Sequence, residues 1–277
     1  MGTRQHKRIS LAQNFLRSPK LVRRLVAMSS IGPPDTVYEI GPGDGIITEA
    51  LANVAGQVIA IEKDPVLVRR LRERFRVFDH VEIVEKDFLE YSPVISDHKV
   101  FANIPYNSTA QILRKILCDR SKLSEAYLIL QKEPAQKFSG TPKETLFSII
   151  AKPFFEFQIL TQLRRTDFWP VPYVDSVFLL IKRRTRPLIE TQHVAVYRDF
   201  VRYGFARWKP NLRLAFKNVF TYKQWKRFAR ELAFPLNATP TELSFEQWVG
   251  LYYGFRRFRR CLGLASKSHS DRNVVSP

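Results

Sequence analysis

The chain has 277 residues, 45% hydrophobic and 13% aromatic, which suits a large folded domain with a smaller one and excludes a disordered chain. Its 45 Lys and Arg against 26 Asp and Glu give a formal charge of +19, favouring a polyanionic partner, nucleic acid before an anionic membrane. Apolar runs such as Ala126–Leu130 are far too short to span a bilayer, no apolar segment follows the basic N-terminus as a secretory signal requires, and Cys118, Cys261 and the five histidines show no metal-ligand spacing.

The first 24 residues hold seven Lys or Arg and no acid, and read as a basic arm. Thr36–Ile40 reads as a short buried strand, and Gly41-Pro42-Gly43-Asp44-Gly45 as the loop after it. Ile46, Ile47, Ala50, Leu51 and Val54 then recur at helical spacing. Val58–Ile61 is a second strand ending at Glu62, and Asp64-Pro65 supplies the cap and first-turn proline of a helix. Val81–Val84 is a third strand with Asp87 just beyond it. Lys99–Ala102 is a fourth, ending at Asn103, and Ala126–Leu130 a fifth. Phe154–Leu163 and Ser176–Lys182 read as a closing pair. Alternating strands and helices predict an α/β domain over residues 25–185, with a doubly wound, mostly parallel sheet.

The run Lys182-Arg183-Arg184-Thr185-Arg186-Pro187 ends that domain. Beyond it the spacing turns helical. Phe200, Val201, Phe205 and Trp208 suit one helix, Trp225, Phe228, Ala229 and Leu232 another, and Phe245, Trp248, Val249 and Tyr252 a third. Residues 186–256 are therefore expected to form a smaller all-helical domain. With 18 basic and 6 acidic side chains from residue 184 onward, it is the candidate RNA-binding part. Residues 257–277, basic and then Ser-rich, read as a partly disordered tail.

Ligands of doubly wound sheets bind beyond the carboxyl ends of the strands. Four polar features fall at successive strand ends: Glu39 with the glycine loop, Glu62, Asp87 and Asn103. Gly41, Gly43 and Gly45 let backbone approach a ligand closely. Their Gly-x-Gly-x-Gly spacing differs from the Gly-x-Gly-x-x-Gly of nicotinamide sites. Glu62 suits ribose hydroxyls and Asp87 an adenine amino group, although either alone is more often a solvated strand-end carboxylate. Asn103-Ile104-Pro105-Tyr106 is the sharpest feature. The Asn103 side-chain oxygen and the Ile104 carbonyl can accept the hydrogens of a planar amine, Pro105 fixes the turn, and Tyr106 offers a face on which an extracted base can rest. Phe168, in Phe168-Trp169-Pro170-Val171-Pro172, is a second aromatic candidate for which simple packing is nearly as good an account.

Together these residues resemble the ribosomal RNA adenine N6-methyltransferases, and among them the Erm enzymes, which act on 23S rRNA and confer macrolide–lincosamide–streptogramin B resistance. The resemblance spans roughly residues 10 to 255. It rests on Gln13-Asn14-Phe15-Leu16, Glu39-Ile40-Gly41-Pro42-Gly43-Asp44-Gly45, Glu62, Asp87-Phe88, Asn103-Ile104-Pro105-Tyr106-Asn107 and Phe168-Trp169-Pro170-Val171-Pro172. It implies a Rossmann-like class I methyltransferase fold. It implies that Asn14, Leu16, Gly41, Glu62, Asp87 and Asn103, with Gly43 and Phe88 beside them, bind S-adenosylmethionine. It also implies that Tyr106 and Phe168 hold the flipped adenine. The expected substrate is 23S rRNA or its precursor, and the expected enzyme a monomer in the bacterial cytoplasm without membrane contact. A small-subunit rRNA dimethyltransferase of the same fold and a non-catalytic nucleic-acid-binding relative remain as alternatives. Tyr173 stands where many relatives carry a lysine after the second proline.

Overall fold

A computed structural model describes residues 14–94, 97–118, 122–206 and 210–261. The arm before Asn14, Trp208 and the tail beyond Cys261 lie outside the described residues. The chain divides into two compact units, one of residues 1–142 and 151–188, the other of residues 143–150 and 189–277. The second unit thus borrows residues 143–150, which no sequence signal marks.

In the first unit the elements run β1 (Phe15–Leu16), α1 (Pro19–Ala27), β2 (Thr36–Ile40), α2 (Ile46–Ala52), β3 (Gln57–Glu62), α3 (Pro65–Arg74), β4 (Val81–Glu85), β5 (His98–Asn103), α4 (Thr109–Ile116), β6 (Leu123–Gln131), α5 (Lys132–Ser139), β7 (Phe155–Leu163), β8 (Phe168–Trp169) and β9 (Ser176–Arg183). Seven strands form one sheet in the order β4-β3-β2-β5-β6-β9-β7. The first five are parallel, and β9 runs antiparallel between β6 and β7. β2 and β3 are buried almost throughout, which is why they read as continuous apolar runs rather than alternating ones. The expected doubly wound sheet with its closing antiparallel pair is therefore the observed one.

Residues 14–24 depart from a free basic arm. β1 pairs antiparallel with β8, and α1 begins at Pro19 with the Ser18 hydroxyl accepting from the Leu21 N–H. Val22, Leu25 and Val26 of α1 enter the same apolar cluster as Phe101, Tyr127 and Phe178, while Lys20, Arg23 and Arg24 face outward. Four basic side chains in eight positions hid this amphipathic stripe, because the charge count dominated the reading.

The second unit opens with α6 (Leu146–Ala151), most of which belongs to it, and continues with α7 (Val194–Gly204), α8 (Leu212–Ala215), α9 (Tyr222–Glu231) and α10 (Phe245–Cys261). Its core is aromatic: Phe200 stacks on Phe216 at 4.7 Å and Phe205 on Trp248 at 5.3 Å. Buried indoles need partners, and the N–H groups of Trp225 and Trp248 donate to the Leu236 and Pro240 carbonyls. α9 is held by a reciprocal cap between Thr221 and Gln224 and turns Lys223, Lys226, Arg227 and Arg230 to solvent. α10 continues through Cys261, past the expected start of a tail at residue 257. No described helix is long and apolar enough to cross a membrane.

Candidate active site

β2 lies between β3 and β5, so the strand order reverses there and the carboxyl ends of β2 and β5 open a crevice. A cavity of about 320 Å³ fills it. Its walls include Asn14, Phe15, Leu16, Gly41, Asn103, Ile104, Pro105 and Tyr106. A smaller cavity of about 60 Å³ shares Gly41 and Pro105 with it and is bounded by Glu62, Asp87 and Phe88. Residues spread over more than ninety positions thus meet around one crevice.

Gly41 adopts φ +65°, and a Cβ there would meet no atom within 4 Å, so it would project into open space. The backbone is bare where a ligand can lie against it. Gly43 sits differently. It has φ +57°, is on neither cavity wall, and a Cβ would come within 2.7 Å of the Phe15 ring. Phe15 therefore covers the glycine loop, a role the sequence did not suggest.

Glu62 is only 4% exposed. Its Oε1 accepts from the Lys63 and Asp64 N–H groups and its Oε2 from that of Gly43. A carboxylate offers about four acceptor directions, so about one remains for a ligand hydroxyl. The side chain thus keeps room for a single further hydrogen bond and also ties the glycine loop to β3. Asp87 Oδ1 caps the Leu89 N–H, and Phe88 is buried beside it. Glu39, under the glycine loop, is fully buried, with Thr48 as its polar neighbour. Burial outweighs the opposing hydrogen bonds from Thr48 and, with the Glu62 charge adding to it, pushes the carboxyl up to about 8.

Asn103 Nδ2 donates to the Asn14 carbonyl at 2.7 Å, which leaves Oδ1 as an acceptor on the cavity wall. Asn14 in turn donates from its own amide to the Pro170 carbonyl. The Ile104 N–H is used by the Ile129 carbonyl. Tyr106 is half-buried, and its hydroxyl meets the Ser176 hydroxyl at 3.1 Å. Burial raises its pKa, so it stays a neutral phenol. Ser176 starts β9, and nothing in the sequence marked it as the anchor of this ring.

Phe168 is not brought to the cavity. It is 1% exposed and packs in the cluster that contains Leu16, its partner across the β1–β8 pair. Successive strand residues point to opposite faces, so the inward turn of Phe168 sends Trp169 outward. The packing account, nearly equal on sequence alone, describes its position.

The profile of the ribosomal RNA adenine dimethylases matches residues 4–253. The chain belongs to this family. It is 31% identical to the mycinamicin-resistance protein MyrB of Micromonospora griseorubida over 90% of this chain and 79% of the relative. It is 34% identical to the ribosomal RNA small subunit methyltransferase A of Moorella thermoacetica over 72% of this chain and 74% of the relative. Among solved structures, the 23S rRNA methyltransferase ErmE superposes with a TM-score of 0.82 at 28% identity, covering 88% of this chain and all of that one. This rRNA adenine dimethylase family member is an S-adenosylmethionine-dependent methyltransferase acting on an adenine N6 of rRNA. The residues around the crevice fit that cofactor: bare backbone at Gly41, an acceptor at Glu62, an acidic side chain at Asp87 and an apolar wall at Phe88.

Proposed function

We propose that this enzyme methylates N6 of one adenine in 23S rRNA or its precursor, as a monomer in the bacterial cytoplasm, and thereby confers macrolide–lincosamide–streptogramin B resistance. The observation that carries the chemistry is the fixed Asn103. With Nδ2 tied to Asn14, its Oδ1 and the Ile104 carbonyl are the acceptors at the crevice. The lone pair of an adenine amine is delocalised into the ring. Accepting its hydrogens turns that lone pair outward and stabilises the positive charge that develops on nitrogen. S-adenosylmethionine, when bound, supplies a methyl group made electrophilic by its sulfonium. Gly41, Glu62, Asp87 and Phe88 would hold it, with Asn14 and Leu16 closing the other side. No strong base is required of the chain, since an alkylated ammonium loses its proton readily.

Tyr106 is assigned as the surface on which the flipped base stacks. Phe168 supports the crevice from behind Leu16, its partner in the apolar cluster and across the β1–β8 pair. Base–aromatic stacking contributes about 1–3 kcal/mol. Tyr106→Ala is therefore expected to lower turnover on rRNA about tenfold or more, while the calorimetric Kd for cofactor stays within about threefold. Abolished cofactor binding would show that Tyr106 does not act on the base.

The choice of 23S rRNA rests on the match to the 23S rRNA methyltransferase ErmE across that chain's whole length, and the resistance reading on the match to the mycinamicin-resistance protein MyrB over 90% of this chain. The 34% identity to a small-subunit enzyme sustains a second reading, dimethylation of 16S rRNA. Expression in a macrolide-sensitive bacterium separates the two. The proposal requires a raised inhibitory concentration for erythromycin that disappears in Asn103→Ala. Unchanged susceptibility, with the protein present, contradicts it.

A further inference from the structure

Beside the crevice lies an aromatic surface that the reaction itself does not use. Trp169 is 62% exposed and Tyr173 96%, with Val171 and Val174 also exposed between and after them. Single exposed apolar side chains are ordinary, but four within six residues form a patch. We infer that Trp169 and Tyr173, with Arg17 lying over the Trp169 ring, form a stacking platform for an unpaired RNA base next to the target adenine. The inference rests on the reading that the enzyme acts on rRNA.

Three observations favour an RNA base over other occupants. The first is the pairing of aromatic faces with cations. The Arg17 guanidinium stands 5.4 Å from the Trp169 ring centroid, and Lys20, Arg164 and Arg165 are exposed on the same unit. Aromatic faces for bases interleaved with cations for phosphates are what single-stranded nucleic acid requires. The second is rigidity. The Arg17 N–H donates to the Asp167 carbonyl at 3.1 Å, Trp169 is paired with Phe15 across the β1–β8 ladder, and the Arg165 guanidinium donates to the Tyr173 carbonyl at 3.3 Å. A surface already ordered loses little freedom on binding. The third is the connection to the site. Asn14 donates to the Pro170 carbonyl with its side chain and accepts from Asn103 with its backbone. Two hydrogen bonds thus separate the platform loop from the residue that holds the target amine. A base stacked on Trp169 fixes the strand beside the nucleotide that must leave its stack. Tyr173, 96% exposed, makes its contact by stacking.

The test uses the full chain and a 23S rRNA transcript. Stacking energies of this kind correspond to about a tenfold or greater effect per ring. Trp169→Ala is expected to raise KM for the transcript about tenfold or more, with kcat and cofactor Kd within about twofold, and Trp169→Phe to restore most of the loss. Tyr173→Ala is expected to act in the same direction. Adding the transcript should also quench tryptophan emission in the parent protein, and the quench should shrink in Trp169→Phe. The titration is run with Trp208→Phe in both proteins, so that the buried Trp225 and Trp248 serve as the constant background. An unchanged KM together with an equal quench in Trp169→Phe overturns the platform, and is the result expected if the patch docks a protein instead. A fall in cofactor affinity that matches the rise in KM also overturns it, since Trp169 would then only brace β1. If the parent transfers no methyl group to rRNA, the activity reading fails, and the quench titration still decides the platform.

Discussion

Glu62 and Glu39 stand on adjacent strands and have opposite tasks. Three backbone N–H groups converge on Glu62, so its carboxylate is a structural acceptor as well as the proposed partner of the cofactor. Glu62→Gln places an N–H₂ against those donors, and an unsatisfied buried donor costs about 1–3 kcal/mol. Calorimetry is expected to show about a tenfold or larger loss of S-adenosylmethionine affinity, with Glu62→Asp intermediate. A Gln variant that binds like the parent would remove Glu62 from the cofactor's partners. Glu39 is held protonated by burial. Its pKa is raised from 4.5 to about 8, so between those values the folded chain keeps a proton that the unfolded chain has released. Its contribution to stability is full below about pH 4.5 and is lost as pH rises to about 8. The slope is at most about 1.4 kcal/mol per pH unit. Denaturant unfolding from pH 5 to 8 should show this decline, and Glu39→Gln should flatten it. Equal slopes in both proteins would mean that Glu39 is ionised in the folded state.

At the scale of elements, the decisive piece is the short β1–β8 pair. It holds Phe15 over Gly43, Leu16 on the cavity wall and Asn14 between Asn103 and Pro170. Gly43→Ala forces a side chain into the positive-φ region and against the Phe15 ring at 2.7 Å. The expected result is weaker cofactor binding by about tenfold, in keeping with about 1–2 kcal/mol of strain at such a position. Phe15→Ala in the same chain should recover part of it by removing the clash. No recovery would locate the defect in the loop itself.

This pair also marks the limit of what the sequence disclosed. β2, β3, β5 and β6 were legible because buried strands are mostly apolar runs bounded by Gly, Asp and Asn, and β4, partly exposed at the sheet edge, from the apolar residues of Val81–Val84. The strand-end residues Gly41, Glu62, Asp87 and Asn103 were legible because the sheet dictates where its ligands lie. β1 and β8 have two residues each, too few for any periodicity, and their meaning arises only when residues about 150 positions apart pair. Asn14 and Leu16 were therefore reachable only by resemblance. The inward turn of Phe168 and the anchoring of Tyr106 by Ser176 depend on register, which one sequence does not display.

For the molecule as a whole, the formal charge of +19 sets how substrate is gathered. Basic side chains are exposed on α1 and around the Arg164-Arg165 pair in the first unit, and along α9 in the second. If four to six of them meet phosphates, log KM for rRNA should rise with log salt at a slope of about 3 to 4. Charge reversal at Lys223, Lys226, Arg227 and Arg230 should lower that slope if the helical unit binds RNA, and leave it unchanged if only the first unit does.

The central claim, methylation of N6 on one adenine of 23S rRNA, is tested most directly by transfer of labelled methyl from S-adenosylmethionine to naked 23S and 16S rRNA, followed by mapping of the reverse-transcription stop. The expected result is label in 23S rRNA at a single adenine, absent in Asn103→Ala. Label confined to 16S rRNA, or no transfer to either despite RNA binding, would contradict the account.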